Sequence, residues 1–500
     1  MPSDPRAGPV SCWKSTLRRR PLGPEFPISP APLAYVMPTC WPAADPVRGR
    51  LWTLRRLVGD CKSPHPRWCW AISPKMIYIV QRCEGIFVPE QRRTGGVHFM
   101  KSDGGPRNYR KDTLLAHLGR HPEGQHGAVN PPVYHASTIL SSNMAEWEKK
   151  RDPKTRFDVV RYGLLGTPTT FALEEALAAI EGGYRAMLMS SGLAAITAPL
   201  QACLKCGDHL LMVDSAYGPA RNFCERVLTR CGIATTYYDP LIGDGIAKLM
   251  RPNTKVVYVE SPGSLTFEVQ DVPTIAAAAH EAGAKVLMDN TWASPYLFPS
   301  FARGVDVSIH AATKYIVGHS DVILGAVITT EEMYLKVRTM AADLGHCAAP
   351  DDAYYALRGL RTMGVRLERH EKNALAVARW LQRRPEVSRV LYPALPEDPG
   401  HALWKRDFLG ATGLFGVVLK PAPKEAVYAM IDALDLFGIG SSWGGFESLI
   451  LPTNPERGRT ATRWNAEGPT LRLHIGLEDP QDLIEDLERG FHRLRIALAA

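Results

Sequence analysis

The chain has 500 residues, 45% hydrophobic and 22% charged, the balance of an ordinary soluble globular protein with room for two or three domains. No run of 18 or more apolar residues occurs, so no membrane-spanning helix is expected. The net charge of +8 is confined to one end: residues 1–99 hold 15 Lys and Arg against 6 Asp and Glu, which leaves the rest of the chain nearly neutral and gives no case for nucleic-acid binding.

Those first 99 residues also hold 5 of the 10 Cys, 5 of the 11 Trp and 15 of the 40 Pro. No helical or strand period survives that density of proline. Arg18-Arg19-Arg20 is followed by Pro21, Leu22 and Gly23 instead of an apolar stretch, so a secretory signal is excluded, and the segment is too poor in Ser for a transit peptide. A disordered or non-native extension is expected over 1–99, with Met100 as a natural start; a small Cys/Trp-rich domain is the alternative. Beyond it, the expected organisation is an N-terminal arm over 100–165, a large domain over 166–360 and a smaller C-terminal α+β domain over 361–500.

From about residue 155 helices and strands alternate. Residues 170–180 read as an amphipathic helix closed by Gly182-Gly183. A short apolar strand at 185–189 leads through Ser190-Ser191-Gly192 into a second helix. Further apolar strands are expected at 209–213, 255–260, 285–289 and 305–309, with an Ala-rich helix at 273–282 between two of them. Buried strands alternating with helices predict an α/β fold with a mostly parallel sheet covered on both faces. After residue 360 the pattern changes to a long helix at 365–383, strands at 387–392, 413–419 and 471–475, and a last helix at 480–498. Cys203-x-x-Cys206 has half-site spacing for zinc but no second pair, so buried, reduced thiols of a cytoplasmic protein are expected.

Four features carry chemistry. Ser191-Gly192-Leu193 opens a helix with small residues, where free backbone N–H groups bind phosphate. Asp289 ends an apolar strand, and a carboxylate there needs a partner such as a pyridinium N–H. Lys314, in His310-Ala311-Ala312-Thr313-Lys314-Tyr315, follows a strand and can reach into a cleft as a nucleophilic amine, with Thr313 offering a hydroxyl and an N–H to a phosphate. Arg472, inside the apolar strand Leu471-Arg472-Leu473-His474-Ile475, needs an anion, and a substrate carboxylate suits its bidentate fork. Each alone admits a blander reading: a capped helix, a loop carboxylate, a solvated lysine, a structural ion pair. Their joint placement at strand ends is where ligands bind in open α/β sheets.

These stretches resemble the Cys/Met-metabolism family of pyridoxal-phosphate (PLP) enzymes, and within it the cystathionine β-lyases. The likeness runs from about Thr113 to the C-terminus. It is carried by Tyr162-Gly163-x-x-Gly166-Thr167-Pro168-Thr169, Asp214-Ser215-Ala216-Tyr217, Glu260-Ser261-Pro262-Gly263-Ser264 and Asp289-Asn290-Thr291-Trp292-Ala293. Ala312-Thr313-Lys314-Tyr315-x-x-Gly318-His319-Ser320-Asp321, Ser442-Trp443-Gly444-Gly445-Phe446-Glu447-Ser448 and Arg472-Leu473-His474-Ile475-Gly476 complete it.

The resemblance implies the type I fold of PLP-dependent transferases, PLP as cofactor and no metal. It implies that Lys314 carries the cofactor and shuttles the Cα proton, that Asp289 pairs with the pyridine nitrogen, and that Tyr217 stacks on the ring. Ser191, Gly192, Leu193 and Thr313 would line the phosphate. Tyr162 would come from a neighbouring subunit of a homotetramer whose sites are shared across a dimer. Arg472 would clamp the carboxylate of a sulfur amino acid, with Ser442 and Trp443 shaping its surroundings. Trp443 and Trp292 favour β-elimination of L-cystathionine to homocysteine, pyruvate and ammonia. Activity of γ-synthase or γ-lyase type is the alternative, and PLP binding without catalysis the second. Two departures stand out: many relatives carry a phosphate-binding Arg where this chain has Leu164, and a Ser where it has Ala311.

Overall fold

The computed structural model describes residues 109–500. The expectations for residues 1–99 and for a start at Met100 lie outside the described residues.

Two sheets organise the chain. Strands β1 (Arg185–Met189), β2 (His209–Val213), β3 (Ala234–Tyr238), β4 (Thr254–Glu260), β5 (Lys285–Asp289), β6 (Val307–Ala311) and β7 (Gly325–Thr329) form the first, in the order β1-β7-β6-β5-β4-β2-β3. Strand β7 runs antiparallel to both its neighbours; the other four pairings are parallel. β2 is buried along its whole length and β4 and β5 nearly so, which is why their sequences are largely continuous apolar runs, whereas β6 is equally buried but carries Ser308 and His310, whose side chains meet buried Glu181.

Helix α1 (Pro168–Glu181) begins at a Thr167 cap with Pro168 in its first turn and ends at Gly182, whose φ of 82° needs a residue without a side chain. Helix α2 (Gly192–Cys203) follows β1 directly and is capped by Ser191. Helix α3 (Val272–Glu281) fills the connection from β4 to β5.

The second sheet is antiparallel, with β8 (Val387–Leu391), β9 (Leu414–Leu419), β10 (Leu449–Thr453) and β11 (Thr470–His474) in the order β10-β11-β9-β8. Helices α4 (Met363–Leu381) and α5 (Pro480–Ala499) pack on one another beside it. The α/β class and the mostly parallel first sheet expected from the sequence are what the chain forms.

Several expectations shift. β6 begins two residues later than predicted, because Asp306 turns back at its start to accept the Val286 N–H at 2.8 Å. β3 is an edge strand whose threonines are half-buried, so it lacks the apolar signature of its neighbours. β7 is short, and its register is set by the two strands it joins. The thiols are not uniformly buried. Cys203 and Cys224 are, but Cys206, Cys231 and Cys347 are exposed; Cys206 lies past the end of α2, where the chain turns towards β2. Among the described residues no His, Cys, Asp and Glu side chains are grouped to hold a metal ion. No helix among them is long and apolar enough to cross a membrane.

Side chains of the first sheet clasp the C-terminal segment. The buried carboxylate of Asp214, just past β2, accepts backbone N–H groups from Thr460 (3.0 Å), Ala461 (3.0 Å) and Thr462 (2.8 Å) as well as the Arg221 guanidinium (2.9 Å). Arg459 reaches Glu268 at 2.6 Å. A carboxylate so supplied with donors titrates below its ordinary range, and Asp214 does, despite its burial.

Candidate active site

The C-terminal ends of β4, β5 and β6 converge with the start of α2 and with the loop before β10. Lys314 stands in the tight turn after β6, where its N–H donates to the Ala311 carbonyl (3.0 Å) and its own carbonyl accepts from Gly318 (2.8 Å). Its Nζ donates to Ser442 Oγ at 2.6 Å and lies 5.5 Å from the centre of the Trp443 ring. Burial, then the positive charge of Arg472, pushes its pKa down to about 8, with Asp289 opposing. The result is a partly neutral amine near physiological pH, the form that attacks a carbonyl or accepts a proton.

Asp289 ends β5 in register with Glu260 on β4. It accepts the Thr291 N–H at 3.0 Å, and Thr291 Oγ1 in turn accepts the Ala311 N–H at 2.9 Å, which ties the end of β5 to the lysine turn. Burial holds the Asp289 carboxyl above its usual range in spite of these bonds. Such a group is stabilised as an anion by a cationic N–H beside it.

Tyr217 begins the helix Gly218–Phe223, and its N–H donates to Glu260 at 2.7 Å. Its ring is 45% exposed, free to face a ligand. The charges of Asp289, Glu260 and Arg472 all reach its hydroxyl.

Arg472 projects from the middle of β11. It is largely buried, donates to the Ser442 carbonyl at 3.1 Å, and has no carboxylate within ion-pairing reach among the described residues. Ser442 therefore bridges the site: its hydroxyl takes the Lys314 amine and its carbonyl takes the Arg472 guanidinium.

At the other end of the cleft, Ser191 Oγ accepts the Ala194 N–H (3.1 Å) and caps α2. A Cβ on Gly192 would come within 2.5 Å of the Ala311 Cβ, so both positions must stay small. Leu193 is exposed. Both groups that Thr313 offers are engaged with Leu324: its N–H donates to the Leu324 carbonyl (3.1 Å) and its hydroxyl accepts the Leu324 N–H (2.9 Å). Leu164 sits half-buried in the turn Gly163–Leu165. Tyr162, just before it, is exposed, and no hydrogen bond or ring contact joins it to the Lys314 cluster among the described residues.

Sequence reasoning missed four residues here. Glu260 was legible, since it ends an apolar strand as Asp289 does. Thr291 lay within a quoted motif but acts through its backbone and hydroxyl together. His346, whose Nδ1 lies 3.3 Å from Ser190 Oγ, and His474 are brought in only by the fold.

The set fits PLP on its own geometry. Among the described residues, a buried guanidinium with no carboxylate in ion-pairing reach, a buried carboxyl with no ion-pair partner, a lysine amine of lowered pKa and an exposed aromatic face surround one cleft. The start of α2 has no side chain at Gly192 to obstruct a phosphate.

Comparison with known proteins agrees. The sequence profile of the family described as Cys/Met metabolism PLP-dependent enzyme matches residues 112–492. A relative from Rhizobium johnstonii, whose name proposes cystathionine beta-lyase activity, is 52% identical over 384 residues, covering 76% of this chain and 95% of its own. Cystathionine beta-lyase MetC of Escherichia coli is 44% identical over 391 residues, 77% of this chain and 98% of its own. The crystal structure of metB from Corynebacterium glutamicum superposes with a TM-score of 0.71 at 33% identity, covering 77% of this chain and 98% of that one. The chain belongs to the Cys/Met-metabolism family of PLP-dependent enzymes, with pyridoxal phosphate as its cofactor.

Proposed function

We propose that the protein is a carbon–sulfur lyase that cleaves L-cystathionine by β-elimination, releasing homocysteine, pyruvate and ammonia. The observation that carries this reading is the Ser442 bridge. It sets the reacting amine of Lys314 and the unpaired guanidinium of Arg472 on either side of one serine, a spacing suited to the amino and carboxylate groups of one α-amino acid.

Arg472 binds the substrate carboxylate and so orients the Cα–H bond. Lys314 would hold the cofactor through its amine, and that amine would receive the Cα proton. Its depressed pKa makes that amine available near neutral pH. PLP supplies an electron sink for the charge that develops at Cα. Asp289 would keep the ring nitrogen protonated. Tyr217, anchored by the bond from its N–H to Glu260, would cover the ring face. Ser191, Gly192 and Leu193 would take the phosphate end through backbone N–H groups at the start of α2, and Thr313, whose N–H and hydroxyl are both engaged with Leu324, would line that end without giving an N–H. Trp443 walls the substrate side next to Lys314.

Tyr162 is assigned to the site of a neighbouring subunit, in a homotetramer of dimers; its exposure, with no hydrogen bond or ring contact to its own Lys314 cluster among the described residues, supports this. The division into an arm, a large domain and a small C-terminal domain is proposed on the same footing. Five free cysteines among the described residues suit a cytoplasmic setting.

Product analysis with L-cystathionine tests the reading. Pyruvate with homocysteine is expected. 2-Oxobutyrate with cysteine would replace it by γ-elimination on the same residues. Bound PLP with no product from any sulfur amino acid would reduce the protein to a binder.

A further inference from the structure

We infer that His474 is a positioning residue of this site, whose imidazole pins the segment Ser442–Gly445 against Lys314. The inference deepens the function proposed above and rests on Lys314 as the reacting amine.

Residues 442–444 touch Lys314 in three ways. Ser442 Oγ receives its Nζ, the Trp443 ring faces it, and Gly444 lies against its backbone. A Cβ on Gly444 would stand 2.9 Å from the Lys314 carbonyl carbon and 2.9 Å from the Tyr315 nitrogen. This segment does not hold itself. Ser442 adopts φ 153° and Gly444 φ 87°, and a serine in that region persists only where its surroundings hold it there.

The hold comes from β11. His474 lies on the same strand face as Arg472, two residues on. It is fully buried, and its Nε2 lies 3.1 Å from the Gly444 nitrogen and 3.1 Å from the Gly445 carbonyl oxygen. With the proton on Nδ1, the ring accepts from Gly444; with it on Nε2, the ring donates to Gly445. Either way the neutral imidazole binds the segment, whereas a doubly protonated ring has no lone pair for Gly444.

Nδ1 is buried without a hydrogen-bond partner among the described residues. That is a cost a purely apolar side chain would avoid, so the contact at Nε2 has to offset it. The groups facing the ring are His370 from α4, at 5.2 Å between ring centres, Tyr315 at 6.0 Å, and the charges of Lys314 and Arg472. Burial and the neighbouring positive groups all favour the neutral form.

The test compares PLP-loaded wild type with His474→Met, His474→Asn and His474→Gln. Met fills the volume without the bond. Asn is polar but ends near the position of Nδ1, whereas the Gln amide reaches that of Nε2. With L-cystathionine, Met and Asn should lower kcat about ten-fold, the effect of one lost hydrogen bond, with KM little changed. The pH midpoint of the bound cofactor's absorbance should move by about half a unit or more. Gln should restore most of both. Unchanged kcat and midpoint in the Met variant overturn the inference, as does Gln behaving no better than Asn. Should the Met variant fail to fold, the Asn and Gln pair decides alone. If the wild type itself releases no keto acid, the β-lyase reading fails, and the absorbance midpoints still judge His474.

Discussion

The two ends of the cleft are held by opposite means. At the Arg472 end, side chains do the holding: a guanidinium, a serine in strained backbone, an indole and a buried imidazole interlock around Lys314. At the Ser191–Leu193 end the chain offers small residues and backbone N–H groups. Its hydroxyls are already spent on capping α2 and on Leu324, Ala311 adds none, and Leu164, next to Tyr162, would bring no charge to the site that Tyr162 joins. On the proposed reading the first end would select among substrates, and the second would offer a bound cofactor shape and helix dipole in place of charge.

The contrast can be broken most severely at Lys314. Lys314→Ala should lower turnover by about 10³-fold or more, measured as pyruvate release, and abolish the absorbance of covalently held cofactor. Retention of both would remove Lys314 from its role. Arg472→Leu comes next. It discards a buried, charge-assisted contact of about 2–3 kcal/mol, so kcat/KM should fall roughly a hundredfold, while cofactor affinity at the opposite end stays as it was. Equal losses in both would mean the two ends do not work separately.

The pH dependence of cofactor capture is a finer probe. A lysine depressed to about 8 is mostly protonated at pH 7 and mostly neutral at pH 9. The rate at which cofactor-free protein takes up PLP should therefore rise roughly tenfold over that interval and level off above it. A rise centred near the ordinary lysine value of 10.5 would mean that Lys314 is not desolvated as its surroundings require.

The smallest expected effect sharpens the comparison directly. Leu164→Arg should tighten PLP binding by about tenfold, read from the dissociation constant, if the phosphate end lacks charge. No change would mean that another group already does that work, His346 beside Ser190 being a candidate.

How much of this was legible in the sequence follows from range. Helix α1 was read within two residues because its apolar face and the closing Gly182 are local signals; the Thr167 cap and Pro168, which set its actual start, went unread. Strands β2, β4 and β5 were equally plain, since burial on both faces writes an unbroken apolar run. Asp289, Lys314 and Arg472 stood out as charged residues at or inside such runs. Edge strand β3 and the two-residue offset of β6 were lost because Thr235, Thr236 and Asp306 take their places through partners far along the chain. His474 illustrates the limit best. A histidine in an apolar strand reads as core filler, and its meaning depends on Gly444, 30 residues earlier, returning to meet it.

The Asp214 clasp has a consequence for the order of assembly. Thr460 is synthesised 246 residues after Asp214, yet the carboxylate of Asp214, which collects Thr460, Ala461 and Thr462, lies three residues before Tyr217. The first sheet can pair as it is synthesised, but the loop presenting Tyr217 is not buttressed until residues 460–462 have been made and have folded back over it. A nascent or C-terminally truncated chain would thus carry Lys314 and Asp289 without the walls that make them selective, and competence to retain the cofactor would arrive late and all at once.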